Sequence, residues 1–580
     1  MRLSIVLARR VSQAFFFALF LWFCVVATVG PAWFQLRGWP INWLLTLDPL
    51  AAVGTLFATG TVLSGLFWGL LAIVVTVFVG RAFCGFVCPL GALNQFTGWL
   101  ARLGRGHAEL AQDHRHRPAQ GIKFLLLAFF LAAALAGPLL TGLLDPLPLI
   151  HRSANLLLAP ILDRPFQVLA TKPRYYEHAW TLGAAFLAVV LANLAVPRFF
   201  CRVLCPAGAL FGLLNRFTPW RIGKSKDKCG DCHLCETRCE GGCHLSGRMR
   251  TSECVLCFNC LDVCPAGRIT FAGKPSAAGE NPRPDASRRG FIAAGAAGLL
   301  AAPVLGLTGL SGPNNNPHLI RPPGSLDEDR FLARCIRCGQ CMRACPSNVI
   351  HPALTEAGLE GLWTPRLNYR LGSSGCQPNC VACGNVCPTA AIRPLSIEEK
   401  QGRGDFAVAG PVRLGTAFVD RTRCLPWAMD RPCIVCQELC PVSPKAIFTR
   451  VVFAPVRGGA GKVSGVKGRT LTLSGLALTP LNLGSGDYYL KPAGRPEAGP
   501  VQIAAAGQAG FVLARDPSWP EPPAQGQAVE IVVRLQQPHV DPARCIGCGL
   551  CEHECPISGL RGIRVTSENE SRSRRTRMLA

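Results

Sequence analysis

Cysteine spacing restricts this 580-residue chain more than any other feature. Two runs stand in the middle, Cys229-x2-Cys232-x2-Cys235-x3-Cys239 and Cys254-x2-Cys257-x2-Cys260-x3-Cys264-Pro265. Four more follow: Cys335, Cys338, Cys341 and Cys345; Cys376, Cys380, Cys383 and Cys387; Cys424, Cys433, Cys436 and Cys440; Cys545, Cys548, Cys551 and Cys555. Pro346, Pro388, Pro441 and Pro556 come directly after their last cysteines. Disulfide frameworks belong to small secreted domains, and zinc sites use two Cys pairs with a long gap. A tight group of cysteines closing on a proline suits the corners of a [4Fe–4S] cubane instead. In two-cluster ferredoxins the last cysteine of each run ligates the other cluster. That rule gives Cys229, Cys232, Cys235 and Cys264 to one cluster and Cys254, Cys257, Cys260 and Cys239 to the other. Cys243 is an extra thiol, either a spare or a replacement for Cys239. Twenty-four ligands predict six cubanes. Cys229-Gly-Asp-Cys232-His233 also fits a haem attachment pattern, but the ferredoxin spacing runs through it.

The first 222 residues are mostly apolar. Runs at 11–30, 54–79, 124–144 and 179–196 approach or reach the length that crosses a hydrocarbon core of about 30 Å. No small-residue cleavage site follows the first, so it reads as a span and not a signal peptide. The net charge of +25 excludes little by itself. No nucleic-acid motif accompanies it, and the bases cluster beside apolar runs. Arg81, Arg102, Arg105, Arg115, Arg117 and Lys123 dominate one loop, and Arg198 to Lys228 repeat the bias. By the positive-inside rule these loops and the first ferredoxin face the cytoplasm.

This half is also duplicated. Leu47-Asp48-Pro49-Leu50 matches Leu144-Asp145-Pro146-Leu147. Arg81-x-Phe83-Cys84-x3-Cys88-Pro89-x-Gly91 matches Arg198-x-Phe200-Cys201-x3-Cys205-Pro206-x-Gly208. Repeats of two spans each face the same way, related by an axis along the membrane normal. The axis brings Cys84, Cys88, Cys201 and Cys205 toward one another, either as a redox relay or seventh cluster site, or as helix starts with buried thiols. Cys24 reads as a small buried hydrophobe. Asp48 and Asp145 fall at the outer face, as Asp-Pro turns or as acceptors of quinol protons. His151, Tyr175, Tyr176 and His178 lie near them, and 155–169 reads as a surface-lying segment.

Ser287-Arg288-Arg289-Gly290-Phe291 before the uncharged stretch 293–310 resembles a twin-arginine export signal or a fifth span. It suits a domain whose clusters are built before export. Residues 311–325 read as linker. Cysteines vanish over 452–538, where Thr470–Leu473 and Val529–Val533 predict strands of a small β insertion. Residues 567–580 read as a disordered polar tail.

The fold class expected is therefore a multidomain membrane protein: a duplicated two-helix transmembrane bundle, α+β bacterial-type ferredoxins and a β insertion. Its domains are a four-span membrane domain (1–222), a cytoplasmic ferredoxin (223–275), a hinge with the fifth span (276–325) and a periplasmic four-cluster module (326–580).

With its Cys-x3-Cys-Pro pairs and two-cluster ferredoxin, 1–275 resembles the NapH-type membrane ferredoxins. Residues 287–450 and 540–566 resemble the exported NapG-type (MauM/NapG) ferredoxins. The resemblance implies a fusion acting as a quinol dehydrogenase of the bacterial inner membrane. It would pass electrons from the quinol pool to a periplasmic reductase or c-type cytochrome, with no nucleic-acid partner. The competing implication is a redox maturation, assembly or regulatory factor for a periplasmic metalloenzyme. Resemblance to four-cluster respiratory subunits further implies nested pairing in the last module, the first cysteine set with the fourth and the second with the third.

Overall fold

The computed structural model describes residues 5–27, 41–166, 174–225, 232–281, 283–307, 316–477, 483–495, 497–507, 510–517, 519 and 524–572. Cys229 and the residues 573–580 of the expected tail lie outside them. The chain divides into two compact units, Met1–Ser373 with Asn379–Val412, and Ser374–Pro378 with Arg413–Ala580.

The helical layer of the first unit is built on proline starts. Pro49–Thr59, Pro89–Leu100, Pro146–Ser153 and Pro206–Leu214 each have Pro at the first helical position. There the missing N–H costs nothing and the fixed φ suits the helix. Asp48, Cys88, Asp145 and Cys205 precede these prolines. The Asp48 carboxylate accepts from the amides of Leu50 and Ala51 at 3.0 and 3.2 Å. The sulfurs of Cys88 and Cys205 accept from Gly91 and Gly208 at 3.4 and 3.2 Å.

Helix lengths differ from the expected spans. Only Ile5–Val26 and the helical stretch 107–135 are long and apolar enough to cross a membrane among the described residues; Pro49–Thr59, Ser64–Val79 and Ala179–Ala195 are shorter apolar helices. The run at 54–79 is broken at Gly60, whose φ of +67° ends the first helix in a left-handed cap. The run at 124–144 stops at Leu135, because Gly137 (φ +122°) and Pro138 cannot continue a helix. Arg288–Leu307 forms a further helix. Its Gly290 faces Leu125 and its Gly298 faces Phe129 and Ala132, so it runs parallel to Ile122–Leu135. Segment 155–169 is not surface-lying at its start: Asn155 and Leu156 are fully buried. Leu50, Leu90, Phe124, Leu149, Phe200, Cys24, Cys88 and Cys205 share one apolar core.

Three cysteine-rich regions repeat one plan. Each is closed by antiparallel pairing between a segment before its first cysteine set and a segment after its last. Arg221–Lys224 pairs with Ile269–Ala272 around the first. Ser325 bridges Ile392 around the second. Thr416–Val419 pairs with Ile563–Thr566 around the third.

The β insertion sits inside that third frame. It is a closed six-stranded barrel in the order Gly510–Leu513, Thr470–Ser474, Ile447–Lys467, Ala528–Val540, Tyr488–Pro492 and Val501–Gly507. Its first residue pairs with its last, Ile447 with Val540. The insertion therefore leaves and rejoins the ferredoxin at neighbouring points. Leu471, Leu490, Ile503, Trp519 and Ile531 give it a core of its own. The tail is ordered at its start, since Ser567, Asn569 and Glu570 are buried and the Ser571 amide donates to the Arg413 carbonyl at 2.9 Å.

Candidate cluster-binding sites

In the first ferredoxin Cys239 lies with Cys254, Cys257 and Cys260, close enough for their charges to interact. Cys243 joins this group: its amide donates to the Cys239 sulfur at 3.2 Å and its thiol bridges Cys239 and Cys254. Cys264 is cradled by backbone. Burial pushes its thiol up, but the N–H groups of Ile269, Arg268, Ala266 and Gly267 more than offset this and its pKa falls below the ordinary value. Amides aimed at sulfur are what a cluster ligand needs to hold negative charge.

This ferredoxin is seated on the helical layer by buried charge. Lys123 and Glu253 form an ion pair, both almost completely buried. Arg81 donates to the Ser252 carbonyl at 2.6 Å and Arg9 to Asn259 at 3.0 Å. Burial pushes the Glu253 carboxyl up, yet Lys123 and Arg81 bring it below the usual carboxylate range.

The two Cys-x3-Cys-Pro units meet. Cys84, Cys88, Cys201 and Cys205 all lie within electrostatic reach of one another. Arg81 contacts the Cys84 thiol and Arg198 the Cys201 thiol. Each guanidinium also crosses to the other repeat. A Cβ at Gly91 would stand 2.8 Å from Arg198, and one at Gly208 would stand 3.1 Å from Arg81. These glycines admit the arginines. Burial raises the Cys88, Cys201 and Cys205 thiols, with Arg198 and Arg81 acting against it at Cys201. Among the described residues no three His, Cys, Asp or Glu converge on a single metal ion.

Asp48 and Asp145 face each other, 1% and 0% exposed. Burial raises both; Asp48 lies at about 6, and Asp145 is raised well above its ordinary value by burial and the Asp48 charge. The Asp145 carboxyl meets the Asp48 carboxyl and, among the described residues, only the Leu147 amide as a donor nearby, so two acceptors face each other there. A proton shared by the two carboxyls satisfies both. Asp48 takes the helix-capping place expected of an Asp-Pro turn, and both carboxyls are buried. His151 packs edge-on against Phe20 at 4.8 Å and meets Gln340 at 3.4 Å. The Tyr176 hydroxyl donates to the Met342 carbonyl at 3.2 Å. Both serve the seat of the second ferredoxin.

That ferredoxin docks on the other end of the same helices. The Leu139 amide donates to the Leu332 carbonyl at 3.1 Å. Arg366 pairs with Glu177 at 2.6 Å, and Gly142 lies against the Ile336 carbonyl, where a Cβ would clash. Within it Cys387 faces Cys335, Cys338 and Cys341. The Ile392 amide donates to the Cys387 sulfur at 3.5 Å.

In the second unit, Cys424, Cys433, Cys436 and Cys555 line one apolar cavity. Cys440, Cys545, Cys548 and Cys551 line another. The Ala417 amide donates to Cys545 sulfur at 3.4 Å and Gly562 to Cys555 at 3.3 Å. Cys376 belongs to this unit, its amide bonded to the Cys548 carbonyl at 2.8 Å. Nested pairing is therefore corrected. The third set exchanges with the fourth and Cys387 joins the first, because strand pairing closes each ferredoxin on itself.

Two family profiles, each described as a 4Fe-4S binding domain, match the chain. One covers 61–107 and 178–225, the two repeats; the other covers 331–351 and 538–560. The ferredoxin-type protein MauM of Methylorubrum extorquens is 32% identical over 228 residues, 36% of this chain and 96% of MauM. The chain belongs to the MauM/NapG ferredoxin-type family. Its other relatives differ in extent. YccM of Escherichia coli is 30% identical over 212 residues, 35% of this chain and 55% of YccM. NosR of Pseudomonas aeruginosa, named a regulatory protein, is 28% identical over 233 residues, 39% of this chain and 28% of NosR. The chain thus spans about half of YccM and a smaller part of NosR. No solved structure matches it. The 4Fe-4S profiles and the ferredoxin-type relatives support iron–sulfur binding by this MauM/NapG-type chain.

Proposed function

We propose that this protein oxidises a membrane quinol and delivers electrons through six [4Fe–4S] clusters to a periplasmic reductase or c-type cytochrome. One observation carries the reading. In the first unit, one ferredoxin is seated at Lys123 and another at Leu139, the two ends of a single helix, Ile122–Leu135. Its 14 residues span about 20 Å at 1.5 Å each. Ferredoxins on opposite ends of an apolar helical layer fit a topology in which the basic loops keep the first inside and the twin-arginine-like segment takes the next outside, with the helix Arg288–Leu307 carrying the chain between them.

Bound cubanes supply one-electron transfer. The chain's residues set where electrons go and at what potential. The backbone amides on Cys264, Cys387, Cys545 and Cys555 favour the more negative, reduced state. Arg81 and Arg198 do the same beside the quartet Cys84, Cys88, Cys201 and Cys205. We assign that quartet to a seventh redox centre, supported by its gathering of four thiols and by a 4Fe-4S profile over both repeats. The Asp48–Asp145 pair keeps one proton between the repeats.

Adding a quinol to purified protein in nanodiscs tests this. Cluster reduction followed by electron paramagnetic resonance is the expected result; clusters that stay oxidised with quinol but reduce with dithionite refute it. The second reading, a maturation or regulatory factor, is favoured by the name of NosR and is what that failure would support.

A further inference from the structure

The first unit contains a cavity of about 860 Å³ that the electron route above does not use. It is wedged between helix Ile5–Val26, helix Pro89–Leu100 and the first ferredoxin. Such a volume is that of a small-molecule site. One wall is apolar and aromatic, with Ala14, Phe17, Phe96 and Trp99. Phe96 and Trp99 are each 58% exposed, as side chains at a lipid-facing edge would be. The other wall is polar. Gln13 donates to Gln95 at 2.9 Å and to the Gly85 carbonyl, next to Cys84, at 2.8 Å. Asn259, beside the ligand Cys260, also lines it and is held by Arg9. Arg198, in contact with the Cys201 thiol, closes one end. A single amphipathic cavity thus touches the first ferredoxin directly and reaches the cysteine quartet only through Arg198. The Asp48–Asp145 pair, by contrast, is sealed.

We propose that this cavity is the quinol site, at the face of the first ferredoxin and not at the aspartate pair. The proposal rests on the quinol reading above and gives it a location. The ring lies between Phe17 and Trp99, its hydroxyls reach the Gln13 and Gln95 amides, and its tail leaves past Phe96 into lipid. Oxidation breaks two O–H bonds. It yields one quinone, two protons that leave to water at the cavity mouth, and two electrons, one for each of the ferredoxin's two clusters.

The test is photolabelling of the full chain in nanodiscs with an azido-quinone, mapped by mass spectrometry, beside quinol reduction of the clusters. Saturable labelling of peptides within 10–17 and 92–105 is expected, displaced by unlabelled quinone. Ala14→Trp fills the cavity and should cut labelling and the quinol reduction rate at least tenfold. Trp99→Ala, at an exposed position, should weaken quinone binding severalfold. Iron content and the dithionite-reduced spectrum report whether each variant has folded. Labelling near Asp48 or Asp145, with both variants at wild-type rates, overturns the location and leaves the quinol reading standing. Labelling displaced by anionic phospholipid but not by quinone marks a lipid site and also overturns it. Absence of both labelling and quinol reduction removes the site and the reading together.

Discussion

The first ferredoxin and the last share a frame and differ in what joins their halves. In the first, Cys239 and Cys254 are joined by a short loop. In the last, a whole barrel lies between Cys440 and Cys545. Yet both are closed by a two-stranded antiparallel ribbon, and in both the last cysteine of one set lies with the other set. Cluster partnership follows the closing strands, not distance along the chain. The price of a long insertion is small because loop-closure entropy grows only as the logarithm of length, and here Ile447 and Val540 are already paired. A second difference is in seating: the first ferredoxin stands on buried charge, whereas the barrel of the last has its own apolar core.

The largest effect should come from breaking that partnership. Cys555→Ser and Cys424→Ser should each remove one cluster, about four irons per chain, and the double variant should remove no more than either alone. Nested pairing would instead cost two clusters in the double variant, which iron analysis distinguishes.

Next is the seat. Lys123→Met leaves Glu253 buried without its ion-pair partner, with only the Gln120 amide and the nearby Arg81 charge to offset it, and removing one partner of a buried pair costs up to about 3–5 kcal/mol. Thermal unfolding should show early loss of the first ferredoxin, while the last is unaffected. Acid should act in the same direction. The folded Glu253 pKa is depressed, so its contribution is present above the unfolded pKa and disappears as pH falls through the folded one.

The Asp48–Asp145 pair has the opposite sign. Its folded pKa values are raised, so folding binds protons and stability should fall as pH rises from about 4 through about 6. Asp145→Asn keeps a donor for Asp48 without a buried charge and should flatten that dependence in thermal melts.

The smallest effect should be deletion of the barrel. Joining Phe448 to His539, a paired couple in the stem, through a two-residue turn should leave iron content and cluster spectra unchanged. Loss of a cluster there would show that the barrel supports the frame.

Much of the site was legible because ligation is written locally. Triplet spacing, Cys-Pro helix starts and the repeat of Arg-x-Phe-Cys are short-range signals, and the structure gathers the quartet and its arginines accordingly. Helix ends were less legible. Gly60 and Gly137-Pro138 interrupt runs that hydropathy alone reads as continuous, since apolarity is insensitive to backbone conformation. Burial of Asp48 and Asp145 was missed because a turn residue and a core carboxyl look alike until the helices pack around them. The 860 Å³ cavity left no sequence signal, being assembled from four distant segments.

By itself, then, the sequence determined the chemistry: thiol sets, apolar helices, basic loops and an internal duplication all follow from residue type and spacing. The tertiary structure alone decided which sets exchange cysteines, which carboxyls share a core and where an amphipathic cavity opens. The reason is physical. Ligand spacing is a property of a few bonded residues, whereas partnership, burial and void are properties of surfaces that meet only once strands pair and helices pack.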